Sequence, residues 1–556
     1  MPSLEIVLGL LLAVTALALL ARRAHVPYPI LLVLGGLVLG FAPGLPTVQL
    51  APDVVFLIFL PPLITAAGWY TSVRDLNANR RPITLLSVGL VLFTTASVAA
   101  VAHALIRGLG WGPALVLGAI VSPTDAIAAT AIMERLRAPH RIVAILEGES
   151  LLNDASGLVA YRFAVAAVVT GAFSIWLAGA QFILSVVAGA AIGFAVGWTL
   201  LQVWRRIDDP VLGILLTFLA PFAAYLLADR ILHVSGVLAV AVAGIYAGRR
   251  SSEVIPAVTR VQAVAVWDMV VFVLNGLAFI LIGLQLRQVL AGLRGQSTWE
   301  LAVYGAAISL AVIVGRFLWV FPAAYLPRFL SRRVRERDPY PGWRNVVVIG
   351  WTGMRGVVSL AAALAIPLTV AGGASFPHRD LILFLTFCVI LVTLVLQGLT
   401  LPWLLRFLRV LEDGTEVREE ARARFLALDA AIGRLAELDG QEGSQEPSVR
   451  YMRAYYQKRR HGLSTRFGKL DHDHDGDGDG NGNGSAKGHA HSHPDGADHL
   501  EEHRSRAEAL RHLQQELIGV ERGTVIRLRN QGVINDAALR RVERDLDLEE
   551  IRLATS

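Results

Sequence analysis

Three clusters place polar side chains inside apolar stretches of this 556-residue sequence. The first is Ser122-Pro123-Thr124-Asp125. Proline removes a backbone donor and breaks or kinks a helix. A broken helix at membrane depth persists where it lines a cavity. The freed carbonyls, the Thr124 hydroxyl and the Asp125 carboxylate are hard oxygen ligands, suited to Na+, K+ or Li+. The second cluster is Glu147-Gly148-Glu149-Ser150-Leu151-Leu152-Asn153-Asp154. At helical spacing Glu149 and Asn153 stand four apart, as do Ser150 and Asp154, so the four share one broad face. Gly157 continues that face and permits close backbone approach. The third is Trp351-Thr352-Gly353-Met354-Arg355-Gly356. Its two glycines allow the helix to unwind beside Arg355. A buried arginine calls for a carboxylate. Glu149 is the first choice, with Glu147 and Asp125 as alternatives.

The elements that must position these clusters are membrane spans. Hydrophobic residues make up 54% of the chain and charged residues 17%, against about 45–50% and about 25% in soluble domains. That balance excludes an ordinary soluble enzyme. The single Cys388 excludes a disulfide framework. Apolar runs at 4–20, 29–41, 54–69, 83–105, 113–133, 142–169, 175–204, 211–227, 235–247, 264–286, 301–326, 346–370 and 381–408 predict about thirteen spans. The second and ninth are shorter than a usual span. With the N-terminus outside, the inside loops hold 19 arginines and the outside loops 5. This asymmetry predicts an odd number of spans and a cytoplasmic C-terminus. The first run has no basic residue before it, and Arg22 and Arg23 follow it, which predicts a retained helix rather than a cleaved signal.

Charges inside a bilayer are costly and mark function. Those left within the spans are Asp125, Glu147, Glu149, Asp154, Asp268, Arg162, Arg316 and Arg355, with Arg406 and Arg409 near the last end. Arg162 and Arg316 are open to pairing with Asp268 or a backbone carbonyl. Asn275 is read as lining the core or capping a break, or else as a helix-packing residue. Gly189, Gly193 and Gly197 repeat at four-residue spacing, which suits close helix packing, within the chain in preference to a dimer face. Two interrupted helices, one in each half of the chain, point to a transport site at the midplane and an inverted repeat.

In order, SPTDAIAAT, EGESLLNDASGLV and WTGMRGVVSLAAALAIP resemble the monovalent cation:proton antiporter-1 family, which includes bacterial NhaP-type antiporters and animal sodium/proton exchangers. FLPPLI near Pro61 and VFVLNGLAFILIGLQL near Asn275 fit as well. The resemblance covers roughly 1–410. It implies an all-α fold of thirteen helices with two crossed, unwound helices, and a homodimer. It implies that Asp154 binds ion and proton, that Asn153, Thr124, Asp125 and Ser150 surround the ion, and that Glu149 and Arg355 form a structural ion pair. One departure stands out. Ala66 occupies the place after Pro61-Pro62 where many members carry an acid.

The expected activity is exchange of Na+ or Li+ for H+ across the cell (inner) membrane. One carboxylate holds a proton or a cation but not both, and competition couples the flows. Asn153 before Asp154, rather than a second acid, favours one-for-one, electroneutral exchange. The transported ions are substrates, and neither a cofactor nor an enzymatic activity is expected. The rival readings are a K+/H+ antiporter of the same fold and a channel or membrane sensor signalling through the tail.

Residues 1–410 carry a net charge of +12 and 411–556 a net charge of −6. The basic balance therefore resides in loop arginines, without the clustered face that nucleic acid requires. The tail has helical composition at 412–440, 446–468, 500–522 and 534–552. Between them, 471–499 is Gly-, Asp- and His-rich and reads as a disordered, solvated spacer. Its histidines His472, His474, His489, His491 and His493 are the sole candidates for a weak metal site, and for a pH response of the tail.

Overall fold

The computed structural model describes residues 2–42, 52–171, 175–293, 296–338, 340–370, 373–410, 414–439, 447–472 and 497–555. These fall into two compact units. The first is Met1–Ile255 with Gln262–Asp413, and the second is Pro256–Val261 with Gly414–Ser556.

The first unit is a helical membrane body. Its passes are α1 (Pro2–Ala24), α2 (Tyr28–Phe41), α3 (Pro52–Tyr70) and α4 (Arg80–Leu105). The fifth is broken into α5a (Trp111–Val121) and α5b (Ile127–Arg135). Next come α6 (His140–Thr170), α7 (Ile175–Trp204), α8 (Pro210–Ile231), α9 (Gly236–Val254), α10 (Ala257–Gly292) and α11 (Thr298–Leu330). The twelfth is broken into α12a (Trp343–Trp351) and α12b (Val357–Leu364), and α13 spans Arg379–Leu408. Eight of these helices are long and apolar enough to cross a membrane by themselves. The others are short, broken or more polar, including both runs that looked short in the sequence.

Small residues let the passes close on one another. A Cβ on Gly193 would lie 2.2 Å from the Ala239 carbonyl oxygen, one on Gly189 would lie 2.9 Å from the Ser235 carbonyl oxygen, and one on Gly197 would lie 3.0 Å from that of Ala243. The glycine stripe of α7 therefore packs against α9 within the chain, as its spacing suggested. α9 in turn packs on α3. A second group, α4, α5a, α6 and α11, holds the broken passes.

The second unit is a helical tail domain of α14 (Thr415–Asp439), α15 (Pro447–His472), α16 (Ala497–Asn530) and α17 (Asp536–Thr555). α14 packs on the other three. One core gathers Ala423, Ala427, Ile518, Val525, Ala538 and Val542, and another gathers Leu428, Leu435, Met452, Tyr456 and Leu517. Of the spacer, 473–496 lies outside the described residues, and His474, His489, His491 and His493 with it.

Candidate ion site

Both interruptions fall where Pro123 and the glycines around Arg355 placed them. Residues 122–126 and 352–356 leave the helical path, and the segments bond to each other: the Asp125 amide donates to the Met354 carbonyl at 2.8 Å. Their approach is too close for side chains. A Cβ on Gly356 would lie 2.0 Å from Asp125 Oδ2, and one on Gly157 would lie 2.3 Å from the Pro123 ring. These glycines are required by contact, not by backbone angle.

Breaking a helix exposes unpaired carbonyls at one end and amides at the other, each with a partial charge. The charged side chains stand at those ends. Asp125 Oδ1 accepts from the Ile127 amide at 2.9 Å, capping α5b. Arg355 Nε donates to the Val121 carbonyl at 2.9 Å, at the end of α5a. Its Nη1 donates to the Gly353 carbonyl, and its amide donates to Thr393 Oγ1 at 3.2 Å. Arg316, from α11, donates to the Ile349 carbonyl at 3.0 Å, in the last turn of α12a.

The ion pair expected between Glu149 and Arg355 is made differently. Glu149 is held bidentately by Arg316, with Nη1–Oε1 at 2.5 Å and Nη2–Oε2 at 2.8 Å. Arg355 directs Nε and Nη1 to carbonyls freed by the two breaks and contributes only longer-range attraction to Glu149. The in-span arginine without an assigned partner thus supplies the pair. The other, Arg162, pairs with Asp229 at the end of α8. Asp268 is exposed on α10 and joins none of these groups.

The remaining candidates converge as their spacing implied. Thr124 Oγ1 donates to Glu149 Oε1 at 2.8 Å. Asn153 Nδ2 donates to the Thr124 carbonyl at 3.0 Å and to its hydroxyl at 2.7 Å. Ser150 Oγ accepts from the Ala126 amide at 3.3 Å. Thr124, Glu149, Asn153, Arg316 and Arg355 are buried, whereas Asp125, Ser150 and Asp154 are half-buried. Asp154 makes no hydrogen bond or ion pair among the described residues, and Asp125 is the charge that bears on it. One polar neighbour was missed in the sequence. Tyr28, at the start of α2, takes a hydrogen bond from the buried Asn275 side chain and lies within electrostatic reach of Asp125. Ala66 is buried in α3.

Residues 9–407 match the family model described as sodium/hydrogen exchanger, transmembrane. An uncharacterized Na+/H+ exchanger of Mycobacterium tuberculosis is 34% identical over 99% of this chain and 96% of its own length. The sodium, potassium, lithium and rubidium/H+ antiporter of Bacillus pumilus is 37% identical over 68% of this chain and 58% of its own. The solved sodium proton antiporter MjNhaP1 of Methanocaldococcus jannaschii shares the fold, with a TM-score of 0.57 at 19% identity over 73% of this chain and 99% of its own. This chain is a multi-pass membrane protein and belongs to the sodium/hydrogen exchanger family.

Proposed function

We propose that this protein exchanges Na+ or Li+ for H+ one-for-one, with Asp154 carrying the cation and the proton in turn. The observation that supports this is the charge at the crossing. Arg316 and Arg355 bear on Glu149, and Asp125 bears on Asp154; these two cations and three carboxylates sum to one net negative charge when all are ionised. One proton or one monovalent cation makes the set neutral. An uncompensated charge is costly in a low-dielectric interior, so the site crosses the membrane loaded and never empty. Each crossing then carries one passenger, and exchange moves no net charge.

Asp154 suits the role because it is half-buried and uncommitted, while Glu149 is locked to Arg316. Asp125, Thr124, Ser150 and Asn153 supply the surrounding oxygens. Transport is across the cell (inner) membrane, with the N-terminus outside and the C-terminus in the cytoplasm, and the working form is a homodimer. A broader cation range, including K+, is the second reading, and it is favoured by the Bacillus pumilus relative named for four cations. Everted vesicles test both readings. Proton movement driven by Na+, Li+ and K+ is compared between the wild type and Asp154→Asn. The variant is expected to fold and to lose exchange with every cation; wild-type exchange by Asp154→Asn overturns the assignment. Rates that depend on membrane voltage at saturating ions overturn the one-for-one stoichiometry.

A further inference from the structure

Within the membrane unit, three passes bring an arginine together at one end. Arg81 is the second residue of α4, Arg141 the second of α6, and Arg328 lies in the last turn of α11. Arg81 and Arg141 both bear electrostatically on Arg328. One carboxylate answers the group. Asp338 Oδ2 lies 2.9 Å from Arg81 Nη1 and 3.7 Å from Arg328 Nη2. Asp75 is engaged elsewhere, by His140 Nε2 at 3.0 Å. Arg141 Nε donates to the neutral Asn79 Oδ1 at 3.1 Å. Arg81 Nη2 is buried and has no partner among the described residues. Three guanidiniums and one carboxylate sum to two net positive charges. Partly buried like charges repel with little screening, and an anion among them turns that repulsion into charge-assisted hydrogen bonds.

The surroundings indicate which anion. The final turns of α11 expose Leu326, Phe329 and Leu330 beside the buried Arg328, an apolar flank that a small soluble anion does not use. Tyr340 and Trp343 follow it and are exposed as well. Such rings mark the headgroup level of a bilayer. Tyr325 of α11 donates to the Pro341 carbonyl at 3.3 Å, which ties this aromatic segment to the helix. An occupant that suits both halves carries phosphate at one end and acyl chains at the other. Basic pockets between spans at this level are a recurrent way of holding acidic phospholipids. Two net charges match a lipid with two phosphodiesters, or two lipids with one each.

We propose that Arg81, Arg141 and Arg328 form a site for the phosphate of an anionic phospholipid, where the ends of α4, α6 and α11 meet. The site is independent of which residues bind the transported cation. The experiment uses the full chain, purified in a non-ionic detergent and depleted of lipid. Cardiolipin and phosphatidylcholine are titrated, with inorganic phosphate as a competitor, and bound lipid is counted by native mass spectrometry. Cardiolipin is expected to bind at least about tenfold tighter than phosphatidylcholine, and Arg81→Gln and Arg141→Gln are each expected to weaken it about fivefold, the scale of one arginine at an anionic surface. Arg333→Gln, which removes an exposed arginine beyond the end of α11, is expected to leave cardiolipin binding unchanged. Equal affinity for the two lipids overturns the proposal, as does wild-type binding by both site variants. An equal loss in Arg333→Gln overturns it by showing general surface attraction, and displacement of cardiolipin by phosphate at equal concentration overturns it by showing a free-anion site. Thermal unfolding with and without cardiolipin separates binding from folding, since a ligand that binds the folded state raises Tm. Arg81→Gln is expected to lose most of that rise; a lower Tm with the full rise retained shows a structural arginine and overturns the site.

Discussion

Replacing Arg316 by methionine tests the reassigned ion pair. Methionine keeps much of the apolar bulk and removes the guanidinium. Glu149 then retains the Thr124 hydroxyl but no bonded cation, at a site where the Arg316 and Glu149 side chains are 0% and 2% exposed. Leaving one partner of such a pair buried costs about 3–5 kcal/mol. The Ile349 carbonyl loses its donor as well, adding part of the about 1–3 kcal/mol of an unsatisfied buried acceptor. Arg355→Met removes bonds to two carbonyls but leaves the Glu149–Arg316 pair intact. A double-mutant cycle separates the two cases. Glu149→Gln with Arg316→Met is expected to show a coupling of about 2–3 kcal/mol, in the upper range for directly bonded groups. Glu149→Gln with Arg355→Met is expected to show about 0.5 kcal/mol, the lower end for groups that do not bond. Detergent-denaturant titration of the purified protein reads these free energies. Equal couplings, or a larger one for Arg355, would refute the reasoning and restore the pairing read from the sequence.

Gly356→Ala drives a Cβ to within 2.0 Å of Asp125 Oδ2, so the half-maximal Na+ concentration is expected to rise at least about tenfold, by the scale of a displaced charged ligand. An unchanged value shows that Asp125 does not contribute to cation binding. Gly193→Leu is expected to destabilise the membrane unit by about 1–3 kcal/mol through overpacking against α9; loss of a dimer at unchanged stability in the same titration argues for an intermolecular face instead. In the tail, burial holds the Glu521 carboxyl above its ordinary range, although Tyr456 donates to it at 2.7 Å and Arg459 lies near. The folded tail then binds this proton more tightly than the unfolded chain does. Glu521 therefore costs stability at neutral pH, and that cost is relieved as pH falls through its raised value towards the ordinary range of about 4.3. Glu521→Gln is expected to resist pulse proteolysis of the tail better than the wild type at pH 7 and equally below the ordinary range; a constant difference across pH refutes the linkage.

The two breaks were legible because their causes are local. Pro123 removes a donor wherever it sits, and the glycines at 353 and 356 permit what the crossing demands. The face of α6 was legible from the four-residue spacing of Glu149 with Asn153 and of Ser150 with Asp154. The partner of Glu149 was not. Arg316 and Arg355 both read as buried cations in apolar runs, and the choice between them depends on which helix crosses α6 at the level of residue 149. That is settled by packing in three dimensions, with α11 laid against α4 and α12a.

The arrangement also explains why the arginines and the acids of this site are not exchangeable parts of one salt-bridge network. Each broken pass leaves a negative end on its first half and a positive end on its second. Arg355 and Arg316 sit on the negative ends of α5a and α12a, and Asp125 caps the positive end of α5b, beneath Gly356 at the start of α12b. Those charges are committed to the breaks themselves. Withdrawing one leaves a helix end bare inside the membrane, where no water replaces it. Glu149 is committed to Arg316 by two bonds. Asp154 makes no hydrogen bond or ion pair among the described residues, so in the proposed exchange it is the group whose charge is answered by something that comes and goes. A transported ion requires a vacancy in an otherwise closed balance, and the proposed exchange puts that vacancy at Asp154 of α6.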